Sequence, residues 1–193
     1  PPPPPPPPLF FFTPTRAYAI LSGLVGSEMC IRDSLISVMS TSGNPKLPRP
    51  SKEVIEGLTR QPKSSSKEDV IENNLMTRRL WASPKYPTSE EILREKFSYR
   101  YDRMYYPDGS TRQYAAIGDD GDRTLRLKKI SLPTLVLHGS SDNLVPLEAG
   151  KDTHRNISGS NIEILDGWGH DLPEGTHDWI VDKIHNHIKS CDE

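Results

Sequence analysis

The sequence predicts an α/β fold: a small parallel sheet of about three strands alternating with helices, and a helical block inserted after the first strand. Three observations carry this. Residues 134–137 (TLVL) form an unbroken run of β-formers behind a proline, the pattern of a strand buried on both faces of a parallel sheet, and residues 162–165 supply its neighbour. Helical periodicity lies between those runs at 147–156 and after them at 179–188. A polar, helix-patterned stretch at 51–129 separates both from an earlier apolar run at 35–39 (LISVM).

Bulk properties narrow the function classes. The chain has 193 residues, enough for one ordinary domain, with 26 acidic against 24 basic side chains. That balance leaves no charge excess for gripping nucleic acid. Cys30 and Cys191 lie near opposite ends without metal-like spacing, so neither a disulfide framework nor a zinc site is expected, and a reducing cytoplasmic setting fits. The apolar run at 17–25 falls well short of the ~20 residues a spanning helix needs, so no membrane segment is expected. It also lies too far inside, behind eight prolines, for a plain signal peptide.

Taken in order, the chain starts with residues 1–34. A polyproline tract can serve as a ligand for an adaptor-type partner. Residues 24–34 (LVGSEMCIRDS), however, resemble the translation of a transposon adapter used to prepare sequencing libraries, codon by codon through Asp33. Residues 1–34 are therefore read as a disordered cloning or assembly scar and excluded from the fold, with Cys30. Residues 35–50 read as a strand and a loop rich in turn residues, so the native reading frame is expected to enter partway through a sheet. Ser40 and Ser42 fall in that loop. A nucleophile elbow needs G-x-S-x-G at a strand-to-helix turn; Ser42 has Ser40 and Asn44 at the glycine positions and Pro45 after them. No G-x-S-x-G occurs in the chain, and both serines are read as loop hydroxyls.

In the 51–129 block, Ser51 is expected to cap a helix with Val54, Ile55 and Leu58 on one face. Ser66 to Asp69 is a capping-box-like start for a second helix carrying Val70, Ile71, Leu75 and Leu80. Thr88 to Glu91 forms a further box ahead of Ile92, Leu93, Phe97, Tyr101, Met104 and Tyr105, an apolar stripe read as core packing. Residues 106–109 read as a turn and 113–117 as a short helix. In the 130–193 part, strand, surface helix and strand are followed by a terminal helix. Pro173 is expected early in that helix, and Trp179, Ile180, Val181, Ile184 and Ile188 on its apolar face.

The candidate chemistry sits beyond the last two strands. Each strand run ends near glycine and then presents one ionisable side chain, Asp142 in one loop and His170 in the other. In open parallel sheets the ligand crevice lies outside the carboxyl ends of the strands. An acid followed in chain order by a histidine matches the last two members of a Ser, Asp/Glu, His series. Plainer roles exist: Asp142 as an Asx-turn residue, His170 as a strand-to-helix bridge. Gly169 is expected to let the backbone bend at His170. Asp171 is expected to cap the next helix, and His154, His177, His185 and His187 to lie at the surface. His185 and His187, two apart on a helix, face away from each other and share no metal.

From residue 35 to about residue 189 the chain resembles the C-terminal half of an α/β hydrolase, in particular the esterase-like group that includes the aclacinomycin methylesterases. The likeness rests on SVMSTSGNPKLP at 37–48, YDRMYYPDGSTRQYAAI at 101–117, GDRT at 121–124, HGSSDNLVP at 138–146 and GWGHDLP at 167–173. It implies that 35–50 is strand and loop of the hydrolase core, 51–129 a helical cap, and 130–193 the C-terminal core. It makes Asp142 the triad acid and His170 the triad base of a serine hydrolase, and places the nucleophile elbow and oxyanion hole ahead of Leu35. The implied reaction is hydrolysis of a carboxylic ester or related acyl bond in a small-molecule substrate, without cofactor or metal. The 193-residue chain would then be a truncated, inactive piece with an unpaired sheet edge. Epoxide, haloalkane and carbon–carbon bond hydrolases share the acid and histidine and stay open as alternatives, as does a non-enzymatic adaptor using the proline tract.

Overall fold

The structure, a computed structural model, describes residues 34–191. Except for Ser34, the segment read as a disordered scar lies outside the described residues. Strands β1 (Leu35–Val38), β2 (Thr134–Gly139) and β3 (Asn161–Leu165) form one parallel sheet in the order β1-β2-β3. Leu35 pairs with Thr134 on one side of β2, and Leu135 with Asn161 on the other. All six residues of β2 are buried, as its uninterrupted β-former run requires, while β3 alternates between half-buried and exposed.

The inserted block contains α1 (Lys52–Thr59), α2 (Lys67–Arg78), α3 (Glu90–Arg103), α4 (Pro107–Asp120) and the single turn α5 (Thr124–Leu127). Ser51 and Ser66 accept the backbone N–H of Val54 and Asp69, so two of the serine caps lie where the sequence puts them. At α3 the cap is Ser89 rather than Thr88; its hydroxyl accepts from Ile92, and the helix starts one residue later. Of the expected stripe, Phe97 is buried and Met104 is exposed, because α3 ends at Arg103 and Met104 turns to an extended conformation. The expected turn at 106–109 is instead the first turn of α4. Pro107 stands at the helix start, where its missing N–H costs nothing, and the helix runs to Gly121 at φ 59°.

After β2 come α6 (Leu147–Asn156), β3, a short 3₁₀ turn (Glu174–Thr176) and α7 (His177–Cys191). Pro173 is extended and precedes the turn, and Val181 points to solvent. His187, expected at the surface, is buried.

Alternation along β2 assigns its faces. Leu135 and Leu137 cluster with buried Trp168 and with Trp179, Ile180 and Ile184 of α7. His138, on the opposite face, lies under α6, where a Cβ on Gly150 would stand 2.4 Å from its Nδ1. Helices therefore cover both faces of the sheet. A separate apolar cluster of Ile71, Leu75, Phe97 and Leu93 joins α2 to α3.

The loop after β1 is held by partners distant in sequence. Ser42 is fully buried and donates to Asp152 of α6 at 2.6 Å. Arg123 donates its backbone N–H to the Ser42 carbonyl and its guanidinium to the Thr41 carbonyl, each at 2.8 Å. Gly43, at φ 74°, lets this loop approach Gly121, whose carbonyl oxygen would lie 2.2 Å from an added Cβ. Among the described residues, no helix is long and apolar enough to cross a membrane.

Candidate active site

β2 delivers the acid. Beyond Gly139 the chain turns through Ser140 and Ser141, and the side chain of Asp142 is fully buried. Its two oxygens take different partners. Oδ1 accepts the backbone N–H groups of Leu144 and Val145 at 2.9 and 2.7 Å, an Asx-turn arrangement that orders the loop into α6. Oδ2 accepts from Nδ1 of His170 at 2.7 Å. One carboxylate therefore both orders the loop into α6 and holds the His170 ring.

β3 delivers the histidine. The His170 side chain keeps 27% of its exposure, so one edge of the imidazole meets Asp142 while part of the ring faces solvent. The loop that carries it is pinned from below by Trp168, which is fully buried and donates its indole N–H to the Asp171 carbonyl at 2.6 Å. Ser141 donates to the Trp168 carbonyl at 3.0 Å and so joins the acid loop to the histidine loop.

Gly169 has a different reason from the expected one. A Cβ there would lie 2.4 Å from the Trp81 carbonyl oxygen and 2.8 Å from the Ser83 nitrogen, so the residue is small because the segment leaving α2 passes against it. Asp171 also departs from expectation: it caps no helix. Its buried carboxylate accepts from the Arg78 guanidinium, the Ser83 hydroxyl and the Ser83 backbone N–H. Burial pushes the Arg78 guanidinium below its ordinary value, and the adjacent Asp171 charge partly offsets that.

Sequence reasoning did not single out His138. It is wholly buried; its Nε2 donates to the Val145 carbonyl at 2.8 Å and lies 3.7 Å from Oδ2 of Asp142. Asp142 is thus flanked by two imidazoles. Periodicity marks His138 only as an inward position of a buried strand. Arg78 and Ser83 carried no local signal either, since their partner Asp171 lies 93 and 88 positions away. Ser42, buried and committed to Asp152, has no access to this site.

Comparison with known proteins agrees with this architecture. No family model matches the chain. An uncharacterized hydrolase of Bacillus subtilis (strain 168) is 36% identical over 64 residues, covering 33% of this chain and 23% of that protein. The non-heme chloroperoxidase CPO-A1 of Kitasatospora aureofaciens is 29% identical over 115 residues, 54% of this chain and 42% of the relative. The matched region thus spans less than half of either curated relative. Among solved structures, an esterase from Rhodococcus sp. ECU1013 superposes with a TM-score of 0.58 at 18% identity, over 82% of this chain and 56% of the esterase. The three-stranded parallel sheet, the helices on both its faces and these likenesses together establish that the described chain carries part of the α/β-hydrolase fold.

Proposed function

We propose that the full-length protein to which this chain belongs is a serine hydrolase that cleaves a carboxylic ester or related acyl bond of a small molecule in the cytoplasm. Asp142 and His170 serve as the acid and base. The observation that carries the proposal is the 2.7 Å bond from His170 Nδ1 to the buried Asp142 carboxylate. With its Nδ1–H hydrogen-bonded to the Asp142 carboxylate, the imidazole presents an unprotonated Nε2 as the base. A serine hydroxyl is a weak nucleophile. His170 Nε2 takes its proton as the oxygen attacks the carbonyl carbon, then returns that proton to the leaving alcohol. Water repeats the two steps on the acyl-enzyme. Asp142 holds the ring tautomer and stabilises the imidazolium without being protonated.

In this reading the serine and the oxyanion hole come from sequence ahead of Leu35, and residues 51–129 form a cap that shapes the substrate pocket. The resemblance to esterase-like α/β hydrolases supports the ester assignment, and the similarity to a protein named a hydrolase supports hydrolysis. The test compares two polypeptides on an aryl ester. The full-length protein is expected to hydrolyse it with saturable kinetics that His170→Ala abolishes. The 193-residue chain is expected to show no turnover, since loss of the serine in a comparable serine enzyme costs roughly a millionfold. His170-dependent turnover by the 193-residue chain would place the nucleophile within it and defeat the truncation reading. A folded full-length protein inert toward esters would defeat the ester assignment.

A further inference from the structure

The two halves of the acid–base pair differ in how far they lean on the helical block: the acid loop reaches it through one long bond, from the Asn143 amide to the Leu80 carbonyl at 3.4 Å. Asp142 is registered by β2 and its own loop, through the N–H groups of Leu144 and Val145. His170 is held on the sheet side through Trp168 and, in addition, by the helical block. Its backbone N–H donates to the Trp81 carbonyl at 2.8 Å, and that of Gly169 donates to the Ser83 hydroxyl at 2.9 Å. The same Ser83 hydroxyl donates onward to Asp171, whose other oxygen accepts the Ser83 N–H at 3.3 Å and the guanidinium of Arg78, the last residue of α2. Residues 169–171 are therefore clasped along their length by residues 78–83. The missing Cβ of Gly169 allows this approach.

We propose that Arg78, Ser83 and Asp171 are positioning residues: they make the placement of the His170 imidazole against Asp142 depend on how the helical block is seated on the sheet. The physical reason lies in the stiffness of the contact. A charged pair with the Asp171 side chain almost wholly out of solvent, bonded again through a hydroxyl and a backbone amide, has few alternative arrangements, so the loop follows the block when the block moves. A surface ion pair of the kind that joins Lys85 to Asp166 on the same loop has no such hold, because water replaces either partner at little cost. The catalytic meaning of the clasp rests on the acid and base roles proposed above; its effect on imidazole geometry does not.

The experiment uses the full-length protein with Asp171→Asn, Ser83→Ala and Arg78→Lys, read by long-range proton–nitrogen NMR of the imidazoles and by steady-state kinetics on an aryl ester. In the parent, the His170 proton should reside on Nδ1. In Asp171→Asn and Ser83→Ala the His170 signals should move toward the averaged tautomers of a free imidazole, with β2 amide signals unchanged. In the same variants kcat should fall about a hundredfold at unchanged KM, the scale expected for a displaced catalytic group. Arg78→Lys, which keeps the charge but replaces the guanidinium that reaches Asp171, should fall between. If Asp171→Asn does not fold, Ser83→Ala, which deletes one hydroxyl, decides alone. An unchanged Nδ1 proton and unchanged kcat in a folded Ser83→Ala would overturn the proposal. A protein without ester turnover whose His170 tautomer still responds would sink the ester reading and leave the positioning role standing.

Discussion

At the scale of single residues, Asp142 does two jobs with two oxygens, and they separate by substitution. Asp142→Asn keeps the shape, and its carbonyl can still accept from Leu144 and Val145, but its amide end cannot accept the His170 Nδ1 proton. Ester turnover by the full-length protein is expected to fall by about ten-thousandfold, as when the equivalent acid is neutralised in a serine protease, while the melting temperature changes little. Kinetics alongside thermal melts check this. Gly169→Ala tests the close approach instead. Its Cβ would meet three backbone atoms of Trp81, Ala82 and Ser83, none of which can swing away, so a loss of about 1–3 kcal/mol is expected in denaturant titrations. The places of Asp142 and His170 beyond their strands were legible in the sequence because each follows a strand run and a glycine within a few residues. His138 was not: an inward histidine on a buried strand has no periodic signature that separates it from a core filler.

At the scale of elements, serine caps and apolar spacing made α1 and α2 legible, while α4 was misread. A proline, an aspartate and a glycine in succession suit both a β-turn and the first turn of a helix, and the sequence alone does not choose. The junction after α4 yields a pH prediction. Asp120 lies below its ordinary value of 3.8, chiefly through its hydrogen bond from Arg126, with Arg123 adding attraction; Asp122 is lowered by the Thr124 hydroxyl and N–H. Depressed carboxylates contribute stability that is present above the unfolded-state value and is lost as pH falls through the folded one. Melting temperature is therefore expected to decline as pH drops below about 4, and Asp120→Asn to flatten part of that decline. A variant that melts in parallel with the parent across the acid range would contradict the assignment.

At the scale of the whole molecule, Trp168 is the shared contact. It packs on Leu135 and Leu137 of β2 and meets Trp179 of α7 edge to face, with ring centroids 6.1 Å apart; its indole N–H holds the histidine loop. Trp168→Ala is expected to cost about 3–5 kcal/mol by denaturant titration and to release the loop with it, because the cavity opens where sheet, helix and site meet. A loss below ~1 kcal/mol would show that the indole does not hold sheet, helix and histidine loop together. What the sequence by itself determined was the local and periodic part: a parallel α/β sheet with β2 buried on both faces, the surface helix at 147–156, and an acid and a histidine each beyond its own strand. Those follow from side-chain spacing and backbone preference, which act over a few residues. Only the tertiary structure decided that Asp171 serves Arg78 and Ser83 instead of a helix cap and that Gly169 is small for a passing backbone. Each depends on partners that come together only when distant segments pack, and no spacing along the chain encodes a neighbour nearly ninety positions away.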